Sequence, residues 1–185
     1  MTWAGKAKTE IASQLKLIFG NDNVETEWRS SAENKDWLKY GKVYAPYPDI
    51  AVGPFNIHTG DQAEQERREI ENSFNRHTNF LQNIFVKNNH NQNPRCLLAI
   101  EIEYSGSEKY LVGDIINASI LGYFGIIVVH DDLLSMATRI MKYLIGASEM
   151  NKIGNVARNV IVVEYSRFME RLPKAEKRKG EGELL

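Results

Sequence analysis

Glu101 and Glu103 stand two residues apart in the apolar run Leu97-Leu98-Ala99-Ile100-Glu101-Ile102-Glu103-Tyr104. In a strand, alternate side chains share a face, so Ala99, Glu101 and Glu103 fall on one side and Leu98, Ile100, Ile102 and Tyr104 on the other. Ionised carboxylates in so apolar a setting need a cation, a metal or a proton to offset their desolvation. Upstream, Pro46-Tyr47-Pro48 leads into Asp49-Ile50-Ala51-Val52. Pro48 fixes its own φ and biases Tyr47 towards extended backbone, so Asp49 opens a strand at a defined place. If the two strands are neighbours, Asp49, Glu101 and Glu103 converge on a hard cation such as magnesium, which takes carboxylate and water ligands and leaves positions for phosphate oxygens. Activated water and a stabilised leaving oxygen are what phosphodiester hydrolysis requires.

The elements around these residues read as an α/β domain. Ala7, Ile11, Leu15 and Ile18 recur at helical spacing over Lys6 to Phe19, and Gly20-Asn21-Asp22-Asn23 supplies the stop. Val24 to Arg29 reads as a short strand and Ser30 to Lys39 as a loop. Lys42 to Ala45 and Asp49 to Val52 read as extended pieces, the second ended by Gly53-Pro54. Asp61 to Val86 carries Ile70, Phe74, Leu81, Ile84 and Phe85 on a helical stripe, an insertion of one or two helices between strands.

After the acidic strand, Ser105-Gly106-Ser107-Glu108 has capping-box spacing and predicts a helix start, with Leu111, Ile115, Ala118 and Leu121 as its buried face and Gly122 at its end. Gly125 to His130 lacks polar alternation, as expected of a strand covered on both faces. Strand, helix and strand make a βαβ unit, hence a parallel pair. Asp131 or Asp132 is expected to cap a helix over Leu133 to Ile145, closed by Gly146. A strand over Asn159 to Glu164 and a helix over Ser166 to Leu172 complete a single domain of residues 1–172, followed by a charged tail, 173–185. Lys109 falls in the first turn after the acidic strand, where a cation opposes the helix dipole unless something negative lies near.

Composition narrows the classes. The 185 residues are 43% hydrophobic and 25% charged, with a formal charge of −1. Those values exclude a disordered chain and a protein that coats nucleic acid through general positive charge. The single cysteine, Cys96, excludes an internal disulfide, and its apolar neighbours predict a core thiol. No apolar leader or run of membrane-spanning length occurs, so the expectation is a cytoplasmic protein that does not enter the membrane. Trp28, Trp37 and Tyr40 are read as core-edge aromatics in preference to base-stacking residues. His77 and His90 lack a second His or Cys at ligand spacing.

Pro48-Asp49, then Glu101-Ile102-Glu103 on an apolar strand, then a helix crossing to another apolar strand resembles the PD-(D/E)XK nucleases, the restriction-endonuclease-like superfamily. The resemblance covers roughly Lys6 to Phe19 and Val43 to Val129, with about 61–93 as a helical insertion. It implies a mixed central sheet flanked by helices and Mg²⁺-dependent cleavage of DNA, with Mn²⁺ able to substitute. Carried over by position, Asp49 and Glu101 are the metal-binding carboxylates, the Ile102 backbone carbonyl is a further ligand, and Glu10 matches an extra acidic residue on the first helix of some members. The family pattern has lysine where this chain has Glu103. Some restriction enzymes resemble the chain in having glutamate there, and Lys109 is the candidate for a lysine supplied from a neighbouring element.

A restriction enzyme cutting a palindrome acts as a symmetric pair, for which Phe74, Leu81 and Phe85 on the inserted helices offer a surface. Two other readings stand beside a nuclease of restriction or repair type. One is a catalytically inactive nuclease-like fold that binds DNA or protein. The other is an unrelated α/β enzyme or assembly factor whose acidic strand is structural.

Overall fold

The computed structural model describes residues 2–29, 46–84, 89–154 and 156–172. The expectations for Ser30 to Lys39, Lys42 to Ala45, Phe85 and the tail from Pro173 lie outside these residues. Helix α1 (Trp3–Phe19) begins where the Thr2 hydroxyl accepts from the Gly5 N–H at 3.2 Å, and it ends at Gly20 (φ 90°), whose N–H returns to the Lys16 carbonyl. A short β1 (Val24–Thr26) and β2 (Ile50–Phe55) follow. The inserted helices are α2 (Asp61–Arg76) and α3 (Thr78–Ile84). Next come β3 (Cys96–Glu103), α4 (Glu108–Leu121), β4 (Gly122–Val129), α5 (Leu134–Glu149), β5 (Val160–Glu164) and α6 (Tyr165–Arg171).

Among the described residues the strands form one five-stranded mixed sheet in the order β1-β2-β3-β4-β5. The β1–β2 and β2–β3 pairs are antiparallel, and β3–β4 and β4–β5 are parallel. Every residue of β3 and β4 is buried, as the uninterrupted apolar runs require of central strands. On one face, Leu98, Ile100, Ile126 and Val128 pack under Ile11 and Leu15 of α1, Ile70 of α2, Leu81 of α3 and Phe168 of α6. On the other, Ala51, Ala99, Ile127 and Val129 pack under Leu111, Ile115 and Ala118 of α4 and Ala137 and Leu144 of α5.

Four details differ from the sequence expectation. β2 continues through Gly53-Pro54 instead of stopping there, with the register shifting between Val52 and Phe55; a bulge near a sheet margin tolerates the donor that proline lacks. α4 starts at Glu108 behind Ser107, because the Ser105 hydroxyl is already committed to Glu103. A 3₁₀ turn over Asp131–Leu133 precedes α5, which runs past Gly146 to Glu149. The inserted helices spend their apolar stripe on their own domain, Leu81 being fully buried and Phe74 lying against Tyr123 and Phe124. Leu81 is therefore not available to a dimer surface, and Phe74 is half-buried against its own sheet. Trp28 is buried and stacks on Phe55, as a core-edge aromatic does. No helix among the described residues is long and apolar enough to cross a membrane.

Candidate functional site

Pairing of Ile50 with Ile100 and of Ala51 with Ala99 brings the start of β2 beside the end of β3. Asp49 and Glu101 meet there. The Asp49 N–H donates to Glu101 Oε2 at 3.1 Å, and Asp49 Oδ2 accepts from the Ile102 N–H at 2.9 Å. Ile102 thus touches the site through its N–H, with its side chain on the opposite, α1-covered face.

Glu101 is only 5% exposed, and its Oε1 has no hydrogen-bond partner. Burial, then the charges of Asp114 and Asp49, push its carboxyl up to about 9, against the opposing pull of the Asp49 N–H and the Asn117 side chain. Asn117 lies near enough to favour the ionised form without closing a hydrogen bond to Oε1.

Glu103 is equally buried but is directed elsewhere. Its Oε1 accepts from the Ser105 hydroxyl at 2.7 Å and from the Ser105 N–H. Asp114 of α4 hydrogen-bonds to Glu103 and is pushed up to about 7, by burial first and then by the Glu103 and Asp49 charges. Asp114 and Asn117 are an i, i+3 pair flanking the buried stripe Leu111, Ile115 and Ala118, so the helix that covers β3 delivers both to the acidic strand.

The lysine at the site is Lys8. Its Nζ lies 2.5 Å from Asp49 Oδ1 and 3.1 Å from Glu27 Oε1. Burial lowers its pKa, but the hydrogen bonds and charges of Asp49 and Glu27 outweigh that and raise it. Lys109 is exposed on the first turn of α4 and makes no ion pair or hydrogen bond among the described residues. Glu10 accepts a hydrogen bond from the Tyr165 hydroxyl.

The structure therefore joins Asp49, Glu101 and the Ile102 backbone, sets Glu103 beside them with Asp114, and links neither Lys109 nor Glu10 to them by a hydrogen bond or ion pair among the described residues. Lys8, Asp114 and Asn117 had a legible signal only as polar residues flanking the apolar stripes of their helices. Among the described residues, no group of three or more His, Cys, Asp or Glu side chains is arranged to hold a metal ion. Magnesium commonly takes one or two carboxylates and completes its shell with water and phosphate. Asp49 and Glu101 fit that need, since the buried Glu101 Oε1 is an acceptor without a hydrogen-bond partner, and a cation would satisfy it. No protein-family model, no curated protein and no solved structure matches the chain.

Proposed function

We propose that this chain is a metal-dependent nuclease of the restriction-endonuclease-like class that hydrolyses phosphodiester bonds in DNA. The observation carrying this reading is the buried, unpartnered Glu101 Oε1 beside Asp49 at the β2–β3 margin. Asp49 and Glu101 would hold Mg²⁺ or Mn²⁺. When bound, such an ion supplies a Lewis acid and a water of lowered pKa. The chain's own residues do the rest. The Ile102 N–H and the Lys8 ammonium fix the Asp49 carboxylate from both oxygens. Lys8, the only cation contacting Asp49 among the described residues, offers donors to a phosphate oxygen. Asp114, pushed up to about 7 beside Glu103, takes up or releases a proton near neutral pH.

The test is cleavage of plasmid DNA, single-stranded DNA and RNA in Mn²⁺ by wild type, Asp49→Asn and Glu101→Gln, alongside calorimetric titration of each protein with Mn²⁺. Cleavage and metal binding lost together in both folded variants support the reading. Indistinguishable titrations in all three proteins overturn it. The 2.5 Å Lys8–Asp49 pair favours one second reading, a nuclease-like binding module whose cation position is filled by lysine. In that case Lys8→Met would gain metal binding that wild type lacks.

A further inference from the structure

Trp3, Tyr104, His130 and Tyr165 come from four separate elements and meet where β3, β4 and β5 end. Trp3 opens α1, Tyr104 directly follows Glu103, His130 follows β4, and Tyr165 opens α6. The Trp3 ring centroid lies 5.0 Å from His130, 5.4 Å from Tyr165 and 6.5 Å from Tyr104. The first two contacts are edge-to-face, which locks the indole in place. Tyr104 is tilted 44° to the indole and is 53% exposed. A base placed between two rings needs them about 6.8 Å apart, twice the roughly 3.4 Å stacking rise. The Trp3 and Tyr104 centroids lie at a comparable distance with their planes tilted, so seating a base between them requires the exposed Tyr104 ring to turn.

The surroundings select the occupant. Lys6 is exposed one helical turn beyond Trp3, a neighbour at i, i+3 able to meet a backbone phosphate. Of the nearby acids, Glu10 accepts from the Tyr165 hydroxyl and Asp131 from the Ser166 N–H, while Asp132 is exposed beside His130. Because Tyr104 adjoins Glu103 in the chain, a base stacked there places its own backbone at the end of the acidic strand.

Resting on the nuclease reading, we infer that Trp3 and Tyr104 form a base-stacking clamp and that the substrate is single-stranded nucleic acid, whose unstacked bases can enter it. Bases in an intact duplex are stacked on each other and cannot.

The test is equilibrium binding in EDTA, which removes metal and cleavage from the readout. The probes are a fluorescent oligothymidylate, the same length of abasic oligonucleotide, and a duplex. The expected result is binding of oligothymidylate about tenfold tighter than either comparison probe. Tyr104→Ala should lose about that factor for oligothymidylate and nothing for the abasic strand, with an unchanged melting temperature, and Tyr104→Phe should retain it. Trp3→Leu is the second probe of the clamp. Equal affinity for the oligothymidylate and abasic strands, preference for duplex, or indifference to Tyr104→Ala would overturn the inference. Ring-dependent binding by a protein that cleaves nothing in Mn²⁺ would support the clamp while removing the nuclease reading. Cleavage accompanied by ring-independent binding would do the reverse.

Discussion

Asp49 gives its backbone N–H to the side chain of Glu101 at 3.1 Å, while its own carboxylate accepts from the amide that follows Glu101 at 2.9 Å. Each residue thereby positions the other across the β2–β3 pair, but Glu101 Oε1 is left without a partner. Glu101→Gln keeps an acceptor for Asp49 and removes the charge that burial penalises. The metal-free variant should therefore melt higher than wild type at alkaline pH, by about 2–4 °C for each kcal/mol gained. Mn²⁺ should raise the wild-type melting temperature and leave the variant's unchanged. Thermal unfolding with and without Mn²⁺ reads both, and a lower melting temperature in the variant would mean that the Glu101 charge is already compensated.

The same carboxyl groups set a pH dependence. Glu101 rises from the ordinary carboxylate range to about 9 and Asp114 to about 7, so between roughly pH 4 and 9 the folded state binds more protons than the unfolded one. Stability is fully present below the ordinary carboxylate range and is lost as pH rises through the folded values. Metal-free wild type should lose denaturant stability across this window, most steeply between about pH 4 and 7, where both groups hold protons that the unfolded chain has released, and less steeply from about 7 to 9, where only Glu101 does. Asp114→Asn should reduce the slope below about pH 7 and leave it unchanged above, whereas Glu101→Gln should reduce it below pH 7 and abolish it above. A flat wild-type profile would show that both groups are ionised and paired.

Lys8 and Lys109 separate cleanly by mutation. Lys8→Met removes the ammonium at Asp49 Oδ1 and should cost about 1–2 kcal/mol of stability, as expected for a charge-assisted hydrogen bond near the surface. Its raised pKa keeps that contribution present throughout the window above, to be lost only as pH rises past the ordinary lysine value. Cleavage should fall in Lys8→Met and recover in part in Lys8→Arg. Lys109→Ala should change neither quantity, because Lys109 is exposed and unpaired among the described residues. If cleavage instead followed Lys109, the lysine of the site would have been misassigned.

The alternation Glu101-Ile102-Glu103 and the βαβ pattern were enough to place two carboxylates on one face of a buried strand with a parallel neighbour, because side-chain period and chain order are local properties, whereas the seating of Asp49 beside them depended on the β2–β3 pairing, which the sequence left open. Asp114 escaped notice because its relevance depends on how α4 rolls over β3, which no spacing within α4 encodes. Lys8 escaped because a long side chain can reach round a sheet margin from the opposite layer. At Ser105 two local rules competed: the capping-box pattern was present, but the hydroxyl went to Glu103, and the helix began two residues later. The fold of the central sheet was thus legible, whereas the full membership of the site required the helix-to-sheet packing.

That packing rests on Gly125. A Cβ there would lie 2.8 Å from Val160 Cγ2 and 2.9 Å from Ala118 Cβ, so α4 sits close on β4 only because residue 125 has no side chain. Gly125→Ala must push α4 or β5 away, at a cost of about 1–3 kcal/mol for overpacking. The displacement carries Asp114 and Asn117 off Glu103 and Glu101, so Mn²⁺ binding should weaken along with stability. Gly113, on the same helix, has nothing within 4 Å of its would-be Cβ. Gly113→Ala should therefore stabilise the protein by up to about 1 kcal/mol, through helix propensity and reduced unfolded-state freedom, and leave Mn²⁺ binding unchanged. Melting temperature and calorimetric affinity measured on this pair isolate the seating of α4. An unchanged Gly125→Ala protein would mean that α4 does not hold Asp114 and Asn117 over the acidic strand.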